Sequence, residues 1–196
     1  MQIRDAHVIL FVLFLLIPFS ILINLDFFII IISYISLNIF YTLKLKHEPI
    51  LDIFSIAISF VLRVISGSFA ASLPISSWMC VTTLCLALFL ACIKRRQELI
   101  LNNSKSRIVL NKYSLPLIEK YADISMLGAL IFYSFFALSE RQQLVVTIPF
   151  VLFGLFRYWY LIEQKNEGES PAEIAFRDKP LFFAVVFWII SCVLVI

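Results

Sequence analysis

The chain has 196 residues, of which 62% are hydrophobic and 15% are charged, and its mean hydropathy is +0.98. This composition excludes a soluble domain with a large core and is typical of an integral membrane protein. The net charge of +3 is small and a poor guide to partners, and no nucleic-acid partner is expected of such a membrane protein. The four glycines are too scattered to form a glycine-rich phosphate loop.

Seven apolar stretches meet or approach the length of about 20 residues that a membrane-spanning helix needs. They predict an all-α fold, a polytopic membrane bundle of about seven transmembrane helices in a single domain over residues 1–196. Pro18 inside the first stretch, and the second stretch that follows at once, favour retained helices over a cleaved signal peptide. The predicted spans are residues 7–23, 26–43, 50–70, 76–93, 122–138, 144–162 and 180–196.

Basic residues concentrate in alternate loops between the predicted spans. The loops after the second, fourth and sixth spans hold Lys44, Lys46, Lys94, Arg95, Arg96, Lys105, Arg107, Lys112, Lys120, Lys165, Arg177 and Lys179. The intervening loops hold only Arg141. Because basic loops stay on the cytoplasmic side, this pattern predicts a protein of the cytoplasmic (inner) membrane with its N-terminus inside and its C-terminus outside.

The third predicted span and its approach carry three charges, Glu48, Asp52 and Arg63. Charged side chains in an apolar run are costly, so each is a functional-site hypothesis. On a helix, Glu48 and Asp52 would lie one turn apart on one face, with Arg63 on nearly the same face roughly 16 Å deeper. Two carboxylates suit Mg²⁺, and neighbouring Lys and Arg would neutralise a departing diphosphate. The alternatives are ordinary interfacial charge for the carboxylates and a structural ion pair for Arg63.

Four segments of the chain form a recognisable set: YTLKLKHEPILDIFSIAISFVLRVISGSFA at 41–70, SSW at 76–78, ALFLACIKRRQEL at 87–99 and GLFRYWYLIEQKNEGESPAEIAFRDKPL at 154–181. Together they resemble the UbiA superfamily of intramembrane prenyltransferases, and most closely its branch of decaprenyl-phosphate phosphoribosyltransferases. The similarity covers nearly the whole chain in order. It implies a helical bundle with a central cavity open to membrane and cytoplasm. It also implies Mg²⁺-dependent transfer of phosphoribose from phosphoribosyl diphosphate to a polyprenyl phosphate.

The resemblance and the charges at the cytoplasmic side together give a set of candidate site residues. Seven of them fall on motif positions of the family: Lys44, Glu48, Asp52, Arg63, Lys94, Arg95 and Glu98. The expected roles are catalysis by Asp52, Arg63 and Lys44, metal binding by Asp52 and Glu48, and substrate binding by Lys46, Tyr41, Lys94, Arg95, Glu98 and Arg157.

The chain departs from the family at its start. The family has nine spans and an NDxxDxxxD motif after the second, and this sequence contains no such motif. We therefore expect an N-terminally truncated form that lacks two spans, with a separate N-terminal fragment as a candidate partner beside membrane lipids. Activity of the chain by itself is left open. Two other functions also stay open: an aromatic prenyltransferase of the same superfamily, and a non-catalytic transporter or scaffold fragment.

Overall fold

The structure, a computed structural model, describes residue 21 and residues 24–101, 108–165 and 171–195. Within these ranges the fold is helical and contains no strand. The helices are α1 (Leu25–Leu43), α2 (Leu51–Ala70), α3 (Ser77–Ile100), α4 (Leu115–Glu140), α5 (Ile148–Lys165), α6 (Pro171–Arg177) and α7 (Lys179–Val195).

Five helical segments are long and apolar enough to cross a membrane, namely α1 to α4 and the segment Gln142–Gln164, and α7 is a shorter apolar helix. The protein is an integral membrane protein, and the predicted all-α bundle is confirmed. Each of the last six predicted spans overlaps one of these helices. The first predicted span, residues 7–23, falls almost wholly outside the described residues.

Short 3₁₀ segments join several of the helices: Leu45–His47 after α1, Ile108–Lys112 before α4 and Gln142–Thr147 before α5. α1 begins at a side-chain cap, since Asn24 accepts a 3.0 Å hydrogen bond from the Asp26 N–H. α4 begins after Ser114 with Pro116 in its first turn, where a proline costs no helical hydrogen bond. These local signals set where the spans start.

The core is built from aliphatic and aromatic side chains that α2, α3, α4, α5, α6 and α7 all contribute. Phe89 of α3 is 1% exposed, and its ring centroid lies 5.8 Å from those of both Tyr158 and Trp159 on α5. α1 has no buried residue and packs along α2. α1 is therefore an edge helix of the described bundle, in which it packs against α2.

Arg96 ties together the ends of three helices. Its guanidinium donates from Nε to Glu119 of α4 at 2.8 Å and from Nη2 to Glu163 of α5 at 2.6 Å. The arginine side chain is 7% exposed, whereas Glu119 and Glu163 are 33% and 45% exposed. Water screens these pairs in part, so we interpret Arg96 as a structural clamp of moderate strength.

We expect Arg96→Met to lower stability by about 1–2 kcal/mol, because the carboxylates can turn to water while the apolar side chain keeps the packing. For a chain of this size the melting temperature in detergent would fall by about 2–8 °C. Glu140→Gln, at the opposite end of α4, is the control and should leave the melting temperature unchanged. An Arg96→Met protein as stable as this control would show that the clamp contributes nothing.

Candidate functional site

A tight turn places the start of α2. Ile50 has a left-handed φ of 68° with ψ of −48°, and the Leu51 N–H donates to the Pro49 carbonyl at 2.7 Å. This is a γ-turn, a strained conformation for a β-branched residue. Glu48 before it is extended, as a residue that precedes proline prefers. The expectation that Glu48 and Asp52 share one helix face is therefore wrong, because α2 begins at Leu51.

Asp52 turns into the bundle and is fully buried. Its Oδ2 accepts a 2.6 Å hydrogen bond from Arg95 Nε, and its Oδ1 accepts a 2.8 Å hydrogen bond from the Tyr113 hydroxyl. Because Asp52 lies in the first turn of α2, the helix dipole also favours its negative charge. A buried carboxylate needs such partners, and this one has two.

Arg95 of α3 extends this network to two further side chains. Its Nη1 donates to Glu98 at 2.6 Å, and its Nη2 lies 3.5 Å from the Tyr41 hydroxyl of α1. The arginine is 1% exposed and Glu98 is 19% exposed. Glu98 and the half-buried Tyr41 are therefore the partly exposed members of the network, and the buried Arg95 hydrogen-bonds to both.

Tyr113 closes the network from the segment before α4, and the sequence reasoning missed it. The Tyr113 hydroxyl accepts a 2.6 Å hydrogen bond from the Ile50 N–H and donates to Asp52. Burial raises the pKa of this hydroxyl, and the hydrogen bond and charge of Asp52 raise the pKa further. Tyr113 is therefore a neutral donor at physiological pH. The one sequence clue was an aromatic residue directly before the helix start Ser114-Leu115-Pro116.

Arg63 lies deeper along α2, beside α1. Its Nη2 donates to the Tyr34 hydroxyl of α1 at 2.6 Å, and its guanidinium carbon lies 5.3 Å from the Tyr34 ring centroid and 5.0 Å from that of Phe60. Such contacts stabilise a cation by attraction to the ring faces. Tyr34 and Tyr41 are seven residues apart and thus share a face of α1. We call Tyr34, Tyr41, Arg63, Asp52 and Arg95 the polar seam.

An apolar groove opens beside Arg63. It is a cavity of about 260 Å³ between α1 and α2, lined by Phe27, Ile30, Ile31, Tyr34, Leu62, Arg63 and Ser66. Arg63 is exposed toward this groove, and among the described residues it has no carboxylate partner. The structural ion pair considered for Arg63 is therefore not seen within these residues. A cation beside an apolar groove suits an anionic group that carries a hydrocarbon chain.

Comparison with characterised proteins identifies relatives of this chain. It is 30% identical over 173 residues to the decaprenyl-phosphate phosphoribosyltransferase of Mycolicibacterium smegmatis, covering 80% of this chain and 54% of that protein. The chain is a distant relative of decaprenyl-phosphate phosphoribosyltransferases. Proteins of that name from Corynebacterium glutamicum and Mycobacterium tuberculosis are 25% and 26% identical, over 83% and 81% of this chain and 52% and 54% of their own lengths.

The relationship confirms the resemblance to this branch that the sequence motifs predicted. No protein-family model matches the chain. The chain spans about half the length of the curated relatives it matches. The activity in the relatives' names therefore belongs to proteins of which this chain matches about half.

The remaining basic residues of the predicted site are distributed in two places. Lys44 directly follows α1 and is exposed, and Lys46 lies half-buried in the 3₁₀ segment between α1 and α2. Lys94 is exposed and directly precedes Arg95 in α3. Arg157 instead forms a two-point pair with Asp178, at 3.0 and 2.8 Å, beside the Tyr160 ring. The structure does not join Arg157 to the Asp52–Arg95 network.

The predicted pair of metal ligands does not fit Mg²⁺ in this arrangement. Both oxygens of Asp52 accept protein hydrogen bonds, and the side chain is 0% exposed. The Glu48 carboxylate is 52% exposed and lies 3.6 Å from Lys112. Across the described ranges, no three His, Cys, Asp or Glu side chains cluster as metal ligands would. Asp52 is therefore an anchor for Arg95 and Tyr113 in this structure.

Proposed function

We propose that this chain is part of a membrane transferase that moves phosphoribose from phosphoribosyl diphosphate to a polyprenyl phosphate. The observation that supports this proposal is the polar seam, in which a buried acid–arginine network and an arginine beside an apolar groove both contact tyrosines on one face of α1. A donor with two phosphate groups suits the first part, and a lipid phosphate suits the second. The names of the relatives point to the same reaction class.

The proposed reaction needs charge stabilisation more than proton transfer. An oxygen of the lipid phosphate attacks C1 of the phosphoribosyl group, the bond from C1 to the diphosphate oxygen breaks, and diphosphate leaves with the electron pair. A phosphate monoester has a second pKa of about 6, so the attacking oxygen is ionised at neutral pH without a general base. Negative charge grows on the departing diphosphate, and preorganised cations would stabilise it.

The lysines at this end of the bundle are the cations available to the donor. Lys44, Lys46 and Lys94 would bind its phosphate groups, and Lys44 would stabilise the departing diphosphate. Glu98 keeps one carboxylate oxygen beyond the Arg95 hydrogen bond and would accept hydrogen bonds from the ribose hydroxyls. Arg95 and Asp52 are buried, so their role is to fix Glu98 and Tyr41 in place.

Arg63 and its groove are the proposed acceptor site. The guanidinium would bind the lipid phosphate, and the aliphatic lining of the groove would take the first isoprene units. Both substrates would then meet along one seam. We propose that the reaction takes place at the cytoplasmic face of the inner membrane. The predicted single domain over residues 1–196 would then have its N-terminus inside and its C-terminus outside.

Two predicted partners remain part of the proposal. Mg²⁺ would travel with the donor diphosphate, since Asp52 is not free to bind it. A separate N-terminal fragment is expected from the family resemblance, and a tagged chain purified from native membranes tests whether such a fragment co-purifies. Full transfer activity from the purified chain by itself would make the fragment unnecessary.

The function is tested with two labelled donors offered to membranes that contain the chain and polyprenyl phosphate. Donor labelled in the 5-phosphate should give a labelled lipid, and donor labelled in the diphosphate should release labelled diphosphate only. Membranes without the chain are the control. Label in neither product, together with prenylation of an aromatic acceptor from a polyprenyl diphosphate, would favour the alternative enzyme.

We expect Glu98→Gln to raise the KM for phosphoribosyl diphosphate about tenfold, because the amide loses the charge-assisted contact with Arg95 and is a weaker acceptor for ribose hydroxyls. The KM for the lipid should not change. Initial rates at varied donor and fixed lipid concentration measure this. Glu140→Gln is the matched control and should behave as wild type; an equal KM in both variants would remove Glu98 from the donor site.

A further inference from the structure

We infer that Tyr113 is a positioning residue for the proposed transferase site: its hydroxyl locks the turn before α2 and aims the Asp52 carboxylate at Arg95. This inference rests on the proposed function for its consequence in catalysis, but the lock itself is a property of the structure. Tyr113 comes from the segment between α3 and α4, more than sixty residues along the chain from Asp52.

The geometry makes one hydroxyl the link between backbone and side chain. The Ile50 N–H donates to the Tyr113 hydroxyl at 2.6 Å, and the hydroxyl proton goes to Asp52 Oδ1 at 2.8 Å. Ile50 is the central residue of the γ-turn, and Asp52 lies two residues later. Tyr113 therefore fixes the turn and the carboxylate at once, and the second Asp52 oxygen is left for Arg95.

The turn needs such a lock because it is strained. Ile50 has a φ of 68°, which costs a β-branched residue conformational energy that surrounding contacts must offset. The Ile50 side chain is 44% exposed, so its own packing gives limited support. Tyr113 is 8% exposed and packs with Val109 and Ile118, which holds the hydroxyl firmly in position.

A chain of hydrogen bonds connects Tyr113 to the groups that would contact the substrate. Asp52 holds Arg95 Nε, and Arg95 Nη1 holds Glu98 at 2.6 Å. Loss of the hydroxyl would leave a buried carboxylate oxygen and a backbone N–H without this partner, and unmade hydrogen bonds in a buried site are expensive. The ring of a phenylalanine at this position would keep the packing, so the hydroxyl can be tested alone.

The first test is hydrogen exchange at the Ile50 amide, measured on the full chain in lipid nanodiscs and needing no substrate. Tyr113→Phe should exchange this amide at least about tenfold faster than wild type, since its acceptor is gone. Tyr121→Phe is the matched control: Tyr121 packs against the same cluster, and its hydroxyl has no hydrogen-bond partner in the described part of the chain. Unchanged exchange in Tyr113→Phe would overturn the inference.

A second variant separates the lock from general damage to the fold. Ile50→Gly adopts positive φ without strain, so the turn needs less support. In the Tyr113→Phe background, Ile50→Gly should restore part of the lost transfer rate and of the lost thermal stability. If Ile50→Gly instead deepens both losses, strain at this turn is not what Tyr113 offsets, and the inference fails.

The third test is a double-mutant cycle of Tyr113→Phe and Asp52→Asn, read both as unfolding in detergent and as kcat for transfer. If Tyr113 acts through Asp52, each single change lowers kcat about tenfold or more, and the double variant is little worse than Asp52→Asn. Independent effects that multiply in the double variant would contradict the inference. Wild-type membranes that make no labelled lipid would overturn the proposed function, whereas amide exchange and the unfolding cycle would still decide the role of Tyr113.

Discussion

Asp52→Ala is expected to cause the largest loss of stability of any substitution at the site, about 3–5 kcal/mol. The change leaves the Arg95 guanidinium buried with Glu98 as its remaining carboxylate, and it removes the acceptor of the Tyr113 hydroxyl. Asp52→Asn keeps the shape and the acceptor oxygen but loses the charge, so its cost should be smaller, about 1–3 kcal/mol. Denaturant titration in micelles measures the free energy of unfolding, which should decrease from wild type to Asp52→Asn to Asp52→Ala.

Glu48 offers the matched control for Asp52. Its carboxylate is 52% exposed and its pair with Lys112 spans 3.6 Å, so Glu48→Ala should change stability by no more than about 0.5 kcal/mol.

The same denaturant titration, repeated with Mg²⁺, tests whether Asp52 binds the metal. If Asp52 bound Mg²⁺ directly, Mg²⁺ would stabilise the wild type and not Asp52→Asn. We expect the same response to Mg²⁺ in both proteins, and equal stability of the Asp52 and Glu48 alanine variants would contradict the anchor role.

The spans were predictable because their apolar length is a property of local sequence. The ends of the helices were less predictable. α3 continues to Ile100, seven residues past the predicted end at 93, and α4 begins at Leu115, seven residues before the predicted start at 122. The extra turns contain charged residues, which hydropathy assigns to loops. In the structure Arg95 and Arg96 are paired with carboxylates of three helices, and these ion pairs allow the helices to continue.

The candidate site was predictable as a set of residues but not as an arrangement. Asp52, Arg63, Arg95 and Glu98 were all identified from charge in apolar context and from motif positions. The hydrogen-bond partner of each residue was not predicted, because the rotation and packing of the helices decide which side chains meet. Pro49 was the local clue that Glu48 stands outside α2, and nothing near Asp52 in the sequence pointed to Tyr113.

Arg63→Leu is expected to have opposite effects on function and on stability. The guanidinium lies twelve residues into α2, about 18 Å from the charged end of that helix, at a depth where a cation is costly. Its described contacts are the Tyr34 hydroxyl and two aromatic rings, not a carboxylate. Leucine removes a charge at this membrane depth, so the free energy of unfolding in bilayers should rise by about 1–3 kcal/mol.

Transfer to the lipid should fall about 100-fold in the same variant, because the proposed acceptor phosphate loses its cation. Arg63→Lys keeps the charge but not the planar fork, so it should retain part of the activity with a raised KM for polyprenyl phosphate. Ser66→Ala, in the lining of the same groove, is the control and should change neither property. Replacing a residue that is kept for structure lowers the stability of the protein. Replacing a residue that is kept for function at a cost in stability raises it. An Arg63→Leu protein that is less stable yet fully active would therefore assign Arg63 to helix packing and remove the acceptor site from the groove.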